Sequence, residues 1–478
     1  MKANNAIKHA LGALALSFGA LGAAGLAQAA ATIVVINANA PGIGFNDPTP
    51  LSPVGGNTGT TLGEQRLIAF NYAASIWAAT VTSSVPIRVT ATFEALPCTT
   101  NGAVLGAAGA FEISANFQSA PKANTWYPTA LASKLSGNDE AGGDPHIIAF
   151  FNSRLGLSAD CLPGSGFYLG LDNKHGAELD LVEVLLHELG HGLGFQTFTD
   201  DESGAQIDGM PSIWDHYLID NRTNQLWINM TDAERAASGV SGGGLSWNGA
   251  GVTAAVPLVL ARVSDLALTG PAAGAASGDY AVGDADFGPP LGTPAVVGQL
   301  MPVVDQANGA GLACTPLGAA NALAVRNNIA LIDRGSCPFV IKVKNAQDAG
   351  AIGVIIADNV AGAVAGLGGS DPSITIPAVR ITQADGFTLK AGLTHRSRSA
   401  SGVLASLGLN PTRFAGTDNV GRILLYTPLD YAPGSTVSHY TDAAKRNQLM
   451  EPFINSDLLH TVLPPYDLTF ELLKDIGW

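Results

Sequence analysis

Residues 187–195 read HELGHGLGF, in which His187 and His191 enclose a glutamate in the H-E-x-x-H pattern. Residues four apart lie on one face of an α-helix, so both imidazoles can point at one Zn²⁺ ion with Glu188 beside it. Such a site needs a third protein ligand, and the extended form of the pattern places it six residues after the second histidine. That position holds Thr197, a poor ligand. Either the site is degenerate, or the third ligand lies elsewhere in the chain.

The helix that carries this motif is predicted from the apolar residues before it. Its packing face is formed by Leu181, Val184, Leu185 and Leu186. Gly192 and Gly194 follow the second histidine closely and are expected to end the helix there. Two histidines and a glutamate are costly to bury in an apolar helix without a partner. A chance occurrence of the pattern is therefore disfavoured.

The composition sets broad limits on the class of protein. The chain has 478 residues, 57 of them glycine, and 47% are hydrophobic, which is enough for two or three loop-rich globular domains. The formal net charge is −15. An acidic chain is repelled by nucleic acid and by anionic membrane surfaces, so neither is expected as a partner.

The first 29 residues have the features of a signal peptide. Lys2 and Lys8 form a positive start, an apolar run rich in Ala and Gly follows, and Ala27-Gln28-Ala29 fits a cleavage site. We therefore expect export, to the periplasm or the extracellular space, with cleavage near Ala29. No later stretch is long and apolar enough to predict a membrane span.

The cysteine content agrees with an oxidising compartment. Four cysteines are present, and an even number in an exported chain suggests two disulfides. Proximity in sequence favours Cys314–Cys337 and leaves Cys98–Cys161, which is one of three pairings. No C-x-x-C pair exists, so zinc binding by cysteine is not expected.

The pattern of elements divides the mature chain into three parts. Residues 30–284 read as strand, helix, strands and then the H-E-x-x-H helix, which predicts a mixed α/β unit. Residues 263–290 are rich in Ala, Gly, Ser and Asp and are predicted to form a linker or long loop. Residues 285–405 have a β-α-β rhythm of their own and are expected to form a separate core. Residues 406–478 do not continue this β-α-β pattern, and they end in a predicted helix.

The third ligand is sought among the remaining histidines and carboxylates. His439 is the best candidate, because it follows a turn in GSTVSHYTDAAKRNQLMEPF and precedes Met450 by eleven residues. Asp215 and His216 in PSIWDHYLID are the alternative, although an amphipathic helix is the favoured interpretation of that stretch. The other histidines of the mature chain lie in less suitable contexts: His146, His175, His395 and His460.

With these residues in view, the chain resembles the metzincin zinc proteases, particularly the leishmanolysin-like branch. In that branch a long insertion separates H-E-x-x-H from the third histidine, and a methionine turn follows. The resemblance implies a metzincin-like α/β (α+β) catalytic domain with a mixed sheet and an active-site helix. It implies the roles of His187, His191 and His439 as ligands, Glu188 as catalytic base and Met450 as the Met-turn residue.

A second resemblance concerns the block at 285–405. The stretch IALIDRGSCPFVIKVKNAQDAGAIGVIIADN at 329–359 resembles the core of a protease-associated (PA) domain. This resemblance implies a β-rich α/β domain inserted into the catalytic domain, which binds substrate or a partner protein. The rival is a Rossmann-like nucleotide domain, and it is disfavoured because no G-x-G-x-x-G follows a strand here.

Together the two resemblances imply a secreted zinc-dependent endopeptidase acting on proteins or peptides. One catalytic Zn²⁺ would hold a water molecule, and Glu188 would take its proton as a general base. Two alternatives remain open. One is an exported PA-domain binding protein with a non-catalytic zinc site, and the other is a zinc amidase acting on a non-protein substrate.

Two further features are weaker candidates for roles at the site. The acidic stretch Thr199–Gly209 is a candidate calcium site, but it lacks the D-x-D-x-D-G spacing, so a solvated loop is favoured. Tyr440, next to His439, is a candidate oxyanion donor, with a packing role as an equally good interpretation.

Overall fold

The computed structural model describes residues 30–304 and 311–478. The predicted signal peptide at 1–29 lies outside these residues. Within the described ranges, no helix combines the length and apolar character needed to cross a bilayer.

The first sheet has four strands in the order β1 (Ile33–Asn37), β2 (Ile87–Glu94), β6 (Ile147–Asn152) and β3 (Gly106–Ala110). The first three strands pair in parallel, and β3 adds antiparallel to β6 at the edge. Burial alternates along β2, with every second residue from Ile87 to Phe93 buried, because one face of the sheet packs on the core.

Two helices pack against this sheet and against each other. α1 (Leu62–Thr80) begins at a capping box in which Thr61 and Glu64 bond reciprocally, and it is the helix predicted after the first strand. α3 (Leu181–Leu193) carries the H-E-x-x-H motif. The indole Nε1 of Trp77 on α1 donates to the carbonyl of Leu186 on α3 at 3.0 Å, which holds the two helices in register.

α3 ends at Leu193, two residues after His191, where the glycines were expected to end it. Gly192 lies inside the helix, where a Cβ would come within 2.4 Å of Ile147 on β6, so glycine permits the close helix–sheet contact. Gly194 is the cap residue, with a φ of 120° that other residues rarely adopt. The chain then turns away from the helix axis, and Trp478 Nε1 donates to the carbonyl of Leu193 at 2.7 Å.

Short elements complete this part of the chain. The helices are α2 (Thr129–Ser136), α4 (Asp232–Gly239), α5 (Ala250–Val259) and the C-terminal α9 (Thr469–Ile476). The short strands are β4 (Ile113–Ala115), β5 (Trp126–Pro128), β7 (Phe167–Tyr168), β8 (Leu179–Asp180), β9 (Leu218–Asp220), β10 (Gln225–Leu226) and β11 (Leu245–Trp247). The stretch PSIWDHYLID forms a 3₁₀ turn at Trp214–Tyr217 followed by β9, so the favoured helix there was wrong.

A second, eight-stranded sheet organises the middle of the chain. Its order is β13 (Gly278–Ala281), β12 (Arg262–Thr269), β19 (Leu404–Phe414), β15 (Val296–Pro302), β16 (Ile329–Asp333), β17 (Gly353–Ala357), β18 (Ala378–Ile381) and β14 (Gly283–Asp284). Its helices are α6 (Ala319–Val325), α7 (Phe339–Asp348) and α8 (Gln383–Gly392). Its buried residues form two clusters that are separate from the core around α1 and α3.

The extent of this sheet corrects the predicted linker. Residues 263–290 contain strands β12, β13 and β14, whereas their composition suggested a loop. β12 (RVSDLALT) pairs with β19 along nearly its whole length, so the stretch begins with a strand even though its overall composition suggested a loop. The sheet thus extends from Arg262 to Phe414, beyond the 285–405 assigned from sequence.

Both disulfides join cysteines within one of these parts. Cys98 pairs with Cys161, and Cys314 pairs with Cys337, with S–S distances of 1.98 and 2.07 Å. The first crosslinks two loops that continue into residues lining the cleft described below. The second lies in the eight-stranded unit.

Asp358 supports a stability prediction for this second unit. Its carboxylate accepts from Arg334 at 2.7 Å and from Arg380 Nε at 2.8 Å. Burial acts to raise the pKa of Asp358, but the two guanidinium groups outweigh burial and lower it to about 2. Because the folded pKa is depressed, the stabilisation is present above pH 4 and is lost as pH falls towards 2.

We expect Asp358→Asn to lower the free energy of unfolding by about 2 kcal/mol at pH 7, and by much less at pH 2. Chemical denaturation of the full chain at both pH values measures this. The control is Asp348→Asn, which removes an exposed ion pair with Lys344 and should change little. Equal destabilisation by Asp358→Asn at the two pH values would contradict the assignment.

Candidate metal centre and cleft

The imidazoles of three histidines converge on one point. The Nε2 atoms of His187 and His191 lie 3.0 Å apart, and His439 Nε2 lies 3.2 Å from each of them. His187 and His191 project from successive turns of α3, while His439 comes from a loop about 250 residues later. The structure therefore brings together the three residues that the metzincin resemblance names as ligands.

The second ring nitrogen of each histidine is held by the backbone. The Nδ1 of His187 donates to the carbonyl of Leu449 at 2.7 Å, and that of His191 to Phe195 at 2.7 Å. His439 Nδ1 donates to the carbonyl of Ser435 at 2.9 Å. A carbonyl oxygen only accepts, so each Nδ1 carries the proton, and in the neutral ring Nε2 presents a lone pair. Such contacts fix the orientation of metal-binding histidines.

The environment keeps these rings neutral. Burial lowers the pKa of His187 to about 4 and that of His191 to about 3, and it holds the pKa of His439 well below its ordinary value. The three Nε2 lone pairs therefore point at one position, and no proton lies between them. A cation at that position would stabilise this arrangement. Tetrahedral zinc with Zn–N bonds of about 2.0–2.1 Å needs nitrogens about 3.3 Å apart. The observed spacings fit that requirement.

Glu188 lies beside the three imidazoles, against the edge strand β3. Burial raises the pKa of its carboxyl group to about 8, and the backbone N–H of Ala108 donates to it. A Cβ on Gly106 would lie 3.0 Å from Glu188 Cγ, so the small residues of β3 admit this side chain. A nearby divalent ion would favour the ionised form and so oppose the effect of burial.

These groups open onto a cleft of about 840 Å³. One part of its lining is the segment 103–108, which includes the start of β3. The rest comes from Leu162, Leu179, α3 and the residues that follow it, and the segments 433–439 and 449–458. The cleft therefore gives a ligand of several residues access to the histidines and to Glu188.

β3 presents a free backbone edge beside this cleft. Asn152 N–H donates to Leu105 and Phe111 N–H donates to His146, so odd-numbered residues of this segment bond to β6. In an antiparallel pair the bonding direction alternates, so Gly106, Ala108 and Ala110 direct their N–H and C=O groups to the other side. Glu188 already accepts a hydrogen bond from one of these groups, the N–H of Ala108. This segment was not predicted as a strand, because GAAGA has no strong strand pattern.

Met450 lies beneath α3. Its side chain is fully buried, and a Cβ on Gly190 would come within 2.8 Å of its sulfur, so the methionine packs directly against the helix between the two ligand turns. The carbonyl of Met450 accepts from the N–H of Tyr440 at 2.8 Å. The methionine segment and the His439 segment are thus tied to each other under the histidines.

Thr197 has a supporting role at the position where the extended motif expects a histidine. Its hydroxyl donates to Asp215 at 2.6 Å, and Thr199 donates to the other oxygen of Asp215 at 2.6 Å. The N–H of Thr197 donates to Ser438 Oγ at 3.2 Å, next to His439. Asp215 therefore orders the turn after α3, and His216 bonds instead to Thr125. Neither residue faces the three imidazoles in the described part of the chain.

We expect Asp215→Asn to lower stability by about 1–3 kcal/mol, because a buried acceptor of two hydroxyl groups is partly lost. Zinc content should not change. Thermal unfolding and metal analysis of the purified chain test both statements, with His216→Ala as the companion variant. Loss of zinc in a folded Asp215→Asn chain would instead make Asp215 a ligand.

Two weaker candidates have other roles in the structure. The Tyr440 side chain is fully buried and its hydroxyl donates to the carbonyl of Leu468 at 3.2 Å, so it packs and is not free to donate in the cleft. In the stretch Thr199–Gly209, Asp200 accepts from Ser203 and Asp201 accepts from Tyr431. No metal-binding group of three was found in this stretch among the described residues, so calcium is not supported there.

Comparison with known proteins confirms the character of the second unit. Residues 296–389 match the family model of the PA domain, as the resemblance at 329–359 predicted. The match covers strands β15 to β18 and helices α6 and α7, and it ends within α8. The structure thus combines a PA domain with a mixed α/β part that carries the three histidines.

Individual relatives match shorter stretches. The chain is 41% identical over 69 residues to a probable lipoprotein aminopeptidase, LpqL, of Mycobacterium tuberculosis, covering 14% of each chain. It is 44% identical over 79 residues to a receptor homology region, transmembrane domain- and RING domain-containing protein of Oryza sativa subsp. japonica, covering 16% of this chain and 15% of that protein. The chain thus spans about a seventh of the length of each relative.

A search of solved structures gives an equally partial likeness. The aminopeptidase from Aneurinibacillus sp. strain AM-1 aligns over 41% of each chain at 19% identity, with a TM-score of 0.23. A TM-score this low does not establish a shared fold. The comparisons support a PA domain and do not support the metzincin resemblance.

Proposed function

We propose that this protein is an exported zinc-dependent endopeptidase with a metzincin-type site. The observation that carries the proposal is the convergence of the Nε2 atoms of His187, His191 and His439 within 3.0–3.2 Å, next to Glu188 in an open cleft. The buried Met450 under α3 supports the metzincin type. Two disulfides and the predicted signal peptide support export.

The residues of the site would have separate roles in peptide hydrolysis. The three neutral imidazoles would hold Zn²⁺, which when bound acts as a Lewis acid towards a carbonyl oxygen and a water molecule. Glu188 would accept a proton from the attacking water and pass it to the leaving nitrogen. The backbone carbonyls behind the histidines keep the rings in one orientation throughout.

The free edge of β3 supports a peptide as the substrate. An extended chain can add to an exposed strand through main-chain hydrogen bonds, which recognise a backbone whatever its side chains are. The outward groups of Gly106 and Ala110 lie on either side of the residue that contacts Glu188. A substrate bound there would pass its scissile bond close to the catalytic group. The PA domain would contribute a further surface for substrate or a partner protein.

Casein cleavage and a peptide with a blocked N-terminus test this proposal. We expect internal cleavage of an N-acetylated peptide, loss of cleavage after zinc removal by a chelator, and recovery when Zn²⁺ is restored. Cleavage that requires a free amino terminus would indicate an aminopeptidase instead. Retention of zinc without cleavage of any peptide would favour the binding-protein or amidase alternatives.

A further inference from the structure

A second cluster of metal-binding side chains lies at the beginning of α3. Ligand atoms of Asp180, Glu183 and His460 all lie within 4.8 Å of one another. Asp180 caps the helix, Glu183 lies in its first turn, and His460 comes from the segment that precedes α9. Glu183 is one helical turn before His187, so the cluster and the histidine site follow each other along the same helix.

The atoms that face each other in this cluster are buried and have no hydrogen-bond partner. His460 Nε2 and Asp180 Oδ2 lie 3.0 Å apart, and the two side chains are 8% and 0% exposed. Despite that distance, neither atom makes a hydrogen bond. The other oxygen of Asp180 accepts from the N–H of Val182 at 2.8 Å, which fixes the orientation of the carboxylate. The two atoms thus lie close together without a hydrogen bond, near the ligand atom of Glu183.

Among the described residues, the two carboxylates of the cluster face a single basic side chain within ion-pair distance, that of His460. In the described parts of the chain, His460 is the sole ion-pair partner within 4.0 Å of Asp180 or Glu183. Asn173 donates to Glu183 at 2.8 Å but brings no charge. Buried carboxylates in proteins are paired or coordinate metals, so this set calls for a cation.

We infer that Asp180, Glu183 and His460 form a second site for a divalent metal ion. One imidazole with two carboxylates suits zinc and related first-row ions, whereas calcium requires six to eight oxygen ligands. The inference does not depend on the proposed peptidase activity. An ion here joins the start of α3 to the segment after Met450, whose residues Phe453 and Leu458 line the cleft. The site therefore fixes one wall of the cleft relative to the motif helix.

Metal content of the full chain after equilibration with Zn²⁺ tests the inference. We expect two zinc ions per chain for the wild type, and one for Glu183→Gln and for His460→Leu. Glu183→Gln keeps the shape of the side chain and its contact with Asn173. His395→Leu is the matched control, because that histidine is exposed between α8 and β19, and it should keep two ions.

A double variant isolates the second site from the first. His187→Ala/His439→Ala removes two of the three converging imidazoles and should still bind one zinc ion, with a rise in Tm on adding Zn²⁺. Absence of zinc binding by this double variant overturns the second site, as does unchanged zinc content in both Glu183→Gln and His460→Leu. A third outcome is that the wild type binds a single zinc ion, which His460→Leu loses and the double variant keeps. That result supports the second site and overturns the histidine site.

Discussion

Glu188→Gln is expected to reduce peptide cleavage by about 10²–10⁴-fold, the range that a general base contributes. Zinc content should stay the same, because Glu188 does not share the convergence point of the three Nε2 atoms. The amide has the shape of the carboxyl group and can still accept from the N–H of Ala108. It cannot take a proton from water. The fold and the metal are therefore preserved while the chemistry is lost.

Rates of cleavage of an N-acetylated peptide, zinc analysis and thermal unfolding measure this together. Glu178→Gln is the matched control, because that glutamate is exposed in the loop before α3 and should keep full activity. A chain with Glu188→Gln that cleaves at the wild-type rate would exclude Glu188 as the base. If Glu188→Gln lost both zinc and activity, the role of Glu188 would be to support metal binding and not to serve as the base.

His439→Ala is expected to weaken zinc binding by more than about 100-fold and to remove cleavage with it. The reason is that loss of groups which merely orient zinc ligands already costs about 10–100-fold in affinity. The remaining rings of His187 and His191 keep their own carbonyl contacts, so their lone pairs stay in place. They lack the third nitrogen that closes the site.

A zinc titration monitored by calorimetry, with cleavage measured at each concentration, provides the test. His395→Ala removes an exposed histidine that is not one of the three converging imidazoles, and it should change neither zinc affinity nor cleavage. Full zinc affinity and activity in His439→Ala would make the metzincin-type assignment wrong. Asp215 and His216 would then be examined first as ligands, even though Asp215 binds Thr197 and Thr199 in the structure.

The parts of the fold that the sequence predicted are those with strong local periodicity. α1 and α3 both have apolar residues at helical spacing, and the structure contains both helices. The predicted linker at 263–290 failed for the opposite reason. The alanines and glycines that suggested a loop lie mostly after β12, and β12 itself (RVSDLALT) pairs with β19 more than 130 residues later.

The sequence by itself determined the motif helix, its metal-binding residue types and the PA domain, because those signals lie within short stretches. It pointed to His439 through its position after a turn, its distance from Met450 and the resemblance to metzincins. Tertiary structure decided which side chains meet: the three imidazoles, the free edge of β3 next to Glu188, and the cluster of Asp180 with His460. Their contacts join residues up to about 280 positions apart. The periodicity of the sequence cannot predict such pairs. They form because the folded chain packs distant segments together, and local conformational preferences do not determine that packing.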